Sequence, residues 1–220
     1  NRKLFSSDSH KELQPLQKQQ GVISFPIGGY YLLRETDSFT FIRCGKYKDR
    51  PGHADNLHID IWVKGENILR DSGTYKYNTE KELQDYFNGT ASHNTVVVDG
   101  QSQMLKGSRF IWYFWTQAKR SKWIETDDGY IFEGEISAFR FLNPKATHIR
   151  TVGKKKNHHK WIVEDSVRGL PNLVKKQIWH HDNSNIIFKA SNNKNELLTA
   201  KPFISYNSTY YGKKQLDRKS

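Results

Sequence analysis

The stretch His53-Ala54-Asp55-Asn56-Leu57-His58-Ile59-Asp60-Ile61-Trp62 interleaves two imidazoles and two carboxylates with apolar residues. Imidazoles exchange protons near neutral pH and bind metals through a ring lone pair, while carboxylates accept protons or pair with cations. Two further clusters carry the same mixture, Arg70-Asp71-Ser72-Gly73-Thr74-Tyr75 and Ser92-His93-Asn94-Thr95-Val96-Val97-Val98-Asp99. Two imidazoles and a carboxylate at strand ends could ligate zinc, with a fourth place left for water. The local excess of acid suits a cation: residues 53–99 hold four Lys/Arg against eight Asp/Glu. The same residues could instead cap turns, since Asp, Asn and Ser readily bond backbone amides.

The elements that must position these groups are strands. Leu57, Ile59 and Ile61 alternate with His58, Asp60 and Trp62, which predicts a strand over Leu57–Val63 with His58 and Asp60 on one face. A hairpin across Lys64-Gly65-Glu66 returns the chain through Asn67–Asp71, so Asp71 comes near His53, 18 residues earlier. His93 heads a strand over Asn94–Val98. Further short runs rich in β-branched and aromatic residues cover Gly29–Arg34, Phe39–Cys44, Phe110–Thr116, Ala118–Glu125, Tyr130–Ile136, Thr147–Val152, Lys160–Val167, Leu173–Trp179, Ile186–Ala190 and Phe203–Tyr206. Many short strands with turn signals between them predict an all-β domain, a large antiparallel β-sandwich over residues 22–220. One short surface helix is expected within Thr79–Gly89, and residues 1–21 read as a linker or entering helix.

Composition narrows the function. The 220 residues, 25.8 kDa, carry a net charge of +12 and 13% aromatic residues. That aromatic content argues against a disordered basic tail. The single cysteine, Cys44, excludes an internal disulfide framework and a multi-thiolate zinc site. No apolar run approaches the roughly 18 residues of a membrane-spanning helix, and the polar start is no signal peptide. Positive charge concentrates in residues 145–181, with nine Lys/Arg against Glu164 and Asp165. Such a surface attracts any polyanion. No nucleic-acid-binding motif accompanies it, and nucleic acid is not expected as a partner. The pairs His158-His159 and His180-His181 lie in polar, basic surroundings and read as exposed.

Three ordered blocks sharpen the reading. Arg50-Pro51-Gly52-His53-Ala54-Asp55-Asn56-Leu57-His58-Ile59-Asp60-Ile61-Trp62, then Ile68 to Asn78, then Tyr86-Phe87-Asn88-Gly89-Thr90-Ala91-Ser92-His93-Asn94-Thr95-Val96 resemble the heparinase II/III-like family. The resemblance runs from about Ile27 to Asp99 and continues more loosely through His148-Ile149-Arg150, Glu164-Asp165 and Tyr210-Tyr211-Gly212. It implies the C-terminal β-sandwich of a polysaccharide lyase whose N-terminal α/α toroid is absent from this chain, with an acidic polysaccharide bound between the two. The implied reaction is β-elimination at a uronic acid, in a periplasmic or secreted bacterial enzyme. The resemblance puts zinc, in a structural role, on His53, Asp71 and His93. It makes Tyr86, His53 and His58 the candidate catalytic residues, and Arg50 and Tyr211 candidates for substrate binding. Some relatives carry a catalytic histidine where this chain has Pro51, which cannot transfer a proton. The 220 residues alone are therefore expected to have little lyase activity. The alternative is a non-catalytic carbohydrate-binding or surface-polysaccharide assembly module of the same fold.

Overall fold

Alternating burial organises the first half of the chain. The computed structural model describes residues 19–181, 186–199, 201, 203–210 and 213–219. β1 (Gly21–Phe25), β2 (Tyr30–Arg34), β3 (Ser38–Arg43), β4 (Ile59–Val63) and β5 (Glu66–Leu69) form one antiparallel sheet in sequence order. In β3 the burial alternates strictly, with Ser38, Thr40 and Ile42 facing inward. α1 (Lys81–Asn88) and a 3₁₀ turn (Thr90–Ser92) then lead into β6 (Val96–Val98), and β7 (Leu105–Lys106) and β8 (Trp112–Tyr113) make a small hairpin.

The second sheet is longer. β9 (Gln117–Glu125), β10 (Gly129–Ser137), β11 (Thr147–Lys155) and β12 (Trp161–Arg168) pair as antiparallel neighbours. β13 (Lys175–Gln177) returns to pair with β6. β14 (Ala190–Ser191) with β15 (Leu197–Leu198), and β16 (Phe203–Tyr210) with β17 (Lys213–Lys219), form separate hairpins. Tyr31, Ile42, Ile59, Ile61 and Leu69 from the first sheet share one core with Ala118, Phe132, Ile136 and Val152 from the second. Two sheets burying a common apolar layer make the expected β-sandwich. Side chains of this size contribute about 1.5–3 kcal/mol each when fully buried.

Three local expectations are corrected by backbone conformation or position. The strand foreseen from Leu57 begins at Ile59, because Leu57 adopts a left-handed φ of 61° and turns the chain before His58. Phe110–Thr116 shortens to Trp112–Tyr113, flanked by left-handed Arg109 and Phe114. His180, read as exposed, is fully buried, because the β6–β13 pairing carries the next turn of chain beneath Ser72. The helix forms within the expected segment, β1 begins at Gly21, the last residue of the expected linker, and residues 1–18 lie outside the described part.

Candidate functional site

Asp71 leaves the end of β5 and folds back on itself. Its Oδ1 accepts the Gly73 N–H at 2.6 Å, the Asx turn typical of aspartate at a strand exit. Gly73 has a φ of +83°, and a Cβ there would lie 2.1 Å from the Ser208 carbonyl oxygen, so only glycine fits against β16. The other carboxylate oxygen, Oδ2, meets His93 Nδ1 at 2.6 Å and His58 Nε2 at 3.8 Å. His93 is held in place by the 3₁₀ turn, through its N–H to the Thr90 carbonyl. Nitrogen and oxygen donor atoms of His58, Asp71 and His93 all lie within 4.8 Å of one another. The His93 and His58 side chains are 2% and 4% exposed, whereas that of Asp71 is 37% exposed. The cluster is therefore a buried pair of imidazoles under a carboxylate that opens to solvent.

His53, the histidine expected beside Asp71 and His93, is not among these three; His58 stands in its place. The His53 ring centroid is 5.4 Å from that of His93. Burial lowers its pKa, and the neighbouring His93 lowers it further, so His53 stays neutral where a metal needs its lone pair. Burial likewise pushes His58 down to about 4. Burial would raise the Asp71 carboxyl, but the facing His93 and His58 rings and the Gly73 amide outweigh it and hold it well below the ordinary range. Asp60 goes the other way, raised by burial to about 6. At neutral pH the site sets an anionic carboxylate beside the neutral His53 and His58 rings, and mixed imidazole and carboxylate donors are the chemistry of a zinc site.

The remaining candidates are placed as follows. The Tyr86 hydroxyl donates to the Tyr206 carbonyl at 3.0 Å and accepts the Tyr206 N–H at 3.2 Å, bracing β16. Arg50 is exposed, with its guanidinium 5.8 Å from the Phe110 ring centroid. Tyr211 lies outside the described residues. The loop carrying His53 is fixed by Tyr47, whose hydroxyl donates to Asp55 Oδ1 at 2.7 Å and lies 3.2 Å from the His53 carbonyl.

Two supporting groups were not singled out from sequence. Asn94, fully buried, donates its backbone N–H to His58 Nδ1 at 2.9 Å, and its side-chain amide bonds the carbonyls of Ile59 and Arg70. Arg150, also fully buried, donates through one nitrogen to the carbonyls of both Leu57 and Asn94, each at 2.6 Å. Their only sequence signal was membership of, or nearness to, the blocks that carried the resemblance.

The family model described as heparinase II/III-like, C-terminal, matches residues 17–202. The chain belongs to the heparinase II/III-like family. Among solved structures, a heparinase III (the BT4657 gene product) aligns with a TM-score of 0.69 at 18% identity, covering 91% of this chain and 33% of that one. Heparan sulfate lyase HepC from Pedobacter heparinus aligns with a TM-score of 0.70 at 16% identity, again over 91% of this chain and 33% of that one. These likenesses show a shared fold, and the chain spans about a third of the length of either structure. No curated protein matches the sequence. In this heparinase II/III-like domain the three sequence blocks converge at the cluster: the His53–His58 loop, the end of β5 and the head of β6 meet there.

Proposed function

We propose that this domain forms one wall of the substrate cleft of a polysaccharide lyase acting on uronic-acid-containing polysaccharide, and that it holds zinc on His53, Asp71 and His93. The observation that carries this reading is the half-exposed Asp71 carboxylate over the buried His93 ring, with the His53 ring 5.4 Å from that of His93. When bound, zinc supplies a fixed positive charge that ties three loops together, a structural contribution. In β-elimination a base takes the proton from C5 and the C4–O bond breaks. A C4=C5 double bond forms, and an acid protonates the leaving glycosidic oxygen. Within this domain Tyr86, His53 and His58 are the candidate proton-transfer groups, the Tyr86 hydroxyl bonded to the Tyr206 backbone and His58 Nδ1 to the Asn94 amide. The remaining proton-transfer groups come from an N-terminal α/α toroid, as the family resemblance suggests. Arg50 and Tyr211 are the residues assigned to the carboxylate or sulfate groups of the polymer. An acidic polysaccharide of this kind implies a periplasmic or secreted setting; no helix among the described residues is long and apolar enough to cross a membrane.

The test is direct. Elemental analysis of the purified domain is expected to find zinc, and the 220 residues alone are expected to yield no unsaturated uronate by absorbance. Joined to the toroid, the domain is expected to turn over substrate. Absence of zinc, or full turnover by the isolated domain, overturns the reading. Pro51, buried where some relatives carry a catalytic histidine, favours the second reading, a non-catalytic polysaccharide-binding module. That reading requires a zinc-loaded full-length protein that binds polymer and never cleaves it.

A further inference from the structure

Two histidines face Asp71, yet one of them, His58, is chemically unable to ligate in this arrangement. His58 Nδ1 lies 2.9 Å from the Asn94 backbone nitrogen, which can only donate. Nδ1 must therefore present its lone pair to that N–H. A neutral imidazole carries a single N–H, which then sits on Nε2, the nitrogen that faces Asp71 Oδ2 at 3.8 Å. A nitrogen that carries a proton has no lone pair for a metal. Ligation through Nε2 would require an imidazolate or the loss of the Asn94 bond.

The Asn94 bond is built to persist. Asn94 Oδ1 accepts the His180 N–H at 2.6 Å, its Nδ2 holds two carbonyls, and its own carbonyl receives Arg150. Arg150 also grips the carbonyl of Leu57, the residue before His58. One guanidinium thus pins both sides of the His58–Asn94 contact. Behind it, Asp165 fixes Arg150 through bonds of 2.8 and 2.7 Å. The left-handed turn at Leu57 aims the His58 ring into this frame.

We propose that His58 is a positioning residue rather than a metal ligand, locked by Asn94 as the Nε2–H tautomer and directing that N–H at Asp71 from outside the ligand set. This rests on the zinc reading above. A donor behind a ligating carboxylate orients it, and loss of such a partner commonly weakens metal binding by about 10–100-fold.

The tautomer is measured first on the metal-stripped protein, by long-range nitrogen–proton NMR correlations of the histidine rings. The expected pattern for His58 is a protonated Nε2 and an unprotonated Nδ1, unchanged when zinc is added. A protonated Nδ1, or loss of the Nε2 proton on adding zinc, overturns the proposal. X-ray absorption of the zinc-loaded protein then counts ligating imidazoles. His58→Ala is expected to keep the wild-type count while affinity in a chelator competition falls about 10–100-fold. His53→Ala is expected to lose one imidazole. A lower count in His58→Ala also overturns the proposal. If the wild-type protein takes up no zinc, the reading of the site as a zinc centre fails, while the tautomer is still decided by the metal-free spectra.

Discussion

Two carboxylates in this domain are each flanked by basic partners, and their surroundings differ in one decisive respect. Asp165 on β12 is 7% exposed and fully engaged: Arg150 Nε and Nη2 approach at 2.8 and 2.7 Å, His148 Nε2 at 2.7 Å and Gln177 Nε2 at 2.7 Å. Asp71 is 37% exposed, and its partners are two imidazoles and a single backbone amide. Both carboxyls are held well below the ordinary range, although burial alone would raise each. The first arrangement satisfies its charge within the protein and serves as a frame. The second leaves one side of an anion open to solvent beside buried imidazoles. A lowered carboxylate pKa therefore marks both a scaffold and a site, and exposure tells them apart.

That contrast is broken most severely at the frame. Arg150→Leu leaves Asp165 buried without its guanidinium and strips the carbonyls of Leu57 and Asn94, so urea unfolding is expected to report a loss of about 3–5 kcal/mol. A loss below 1 kcal/mol would mean the network supports nothing. Asp71→Asn is expected to lose zinc retention in a chelator competition, while the metal-free protein loses less stability than Arg150→Leu does. An equal destabilisation by both substitutions would erase the distinction between frame and site.

Acid sharpens the comparison further in metal-free protein. His58 protonates near 6.5 when unfolded and only near about 4 when folded, so the unfolded state binds the proton first. Stability falls as pH drops through that window. Asp60 opposes this, because its folded carboxyl, raised by burial to about 6 from 3.8, binds the proton before the unfolded one. His58→Gln is expected to flatten the decline between pH 6.5 and 4, and Asp60→Asn to steepen it, in urea midpoints measured across that range. Below about pH 4 the depressed Asp165 carboxyl adds a second decline, since its contribution is complete only above the unfolded value of 3.8. The smallest effect belongs to Tyr86→Phe. It removes the hydroxyl that braces Tyr206, costing about 1 kcal/mol by urea unfolding.

The sandwich was legible because period-two burial and turn residues are local properties. β4 and β10 follow directly from alternating apolar positions, whereas β3 buries Ser38 and Thr40 with Ile42, and β11 buries His148, Arg150 and Lys154 around Val152. The meeting of Asp71 with His93 was legible through the hairpin at Lys64-Gly65 and the strand after His93, aided by the family resemblance. Cross-strand partners were not. Arg150 stands directly opposite Asp165 in the β11–β12 register, yet in sequence it counts as one more cation in a basic stretch. Lys154 is similarly buried beside Glu35, far away in the chain. Part of the apparent basic surface is therefore interior ion pairing. His180 was misread for the same reason, since its surroundings come from Ser72 and Ala91 rather than from its neighbours in sequence. The tautomer of His58 depends on one amide hydrogen of Asn94, which no residue pattern encodes.

The central claim is that the open carboxylate cluster is a zinc centre. Calorimetric titration of zinc into metal-stripped domain, with His53→Ala alongside and thermal unfolding of both, tests it most directly. Stoichiometric zinc uptake that raises the wild-type melting temperature, with both responses weakened in His53→Ala, is the predicted result. No uptake by the wild-type domain, or identical uptake and thermal response in the variant, would contradict it.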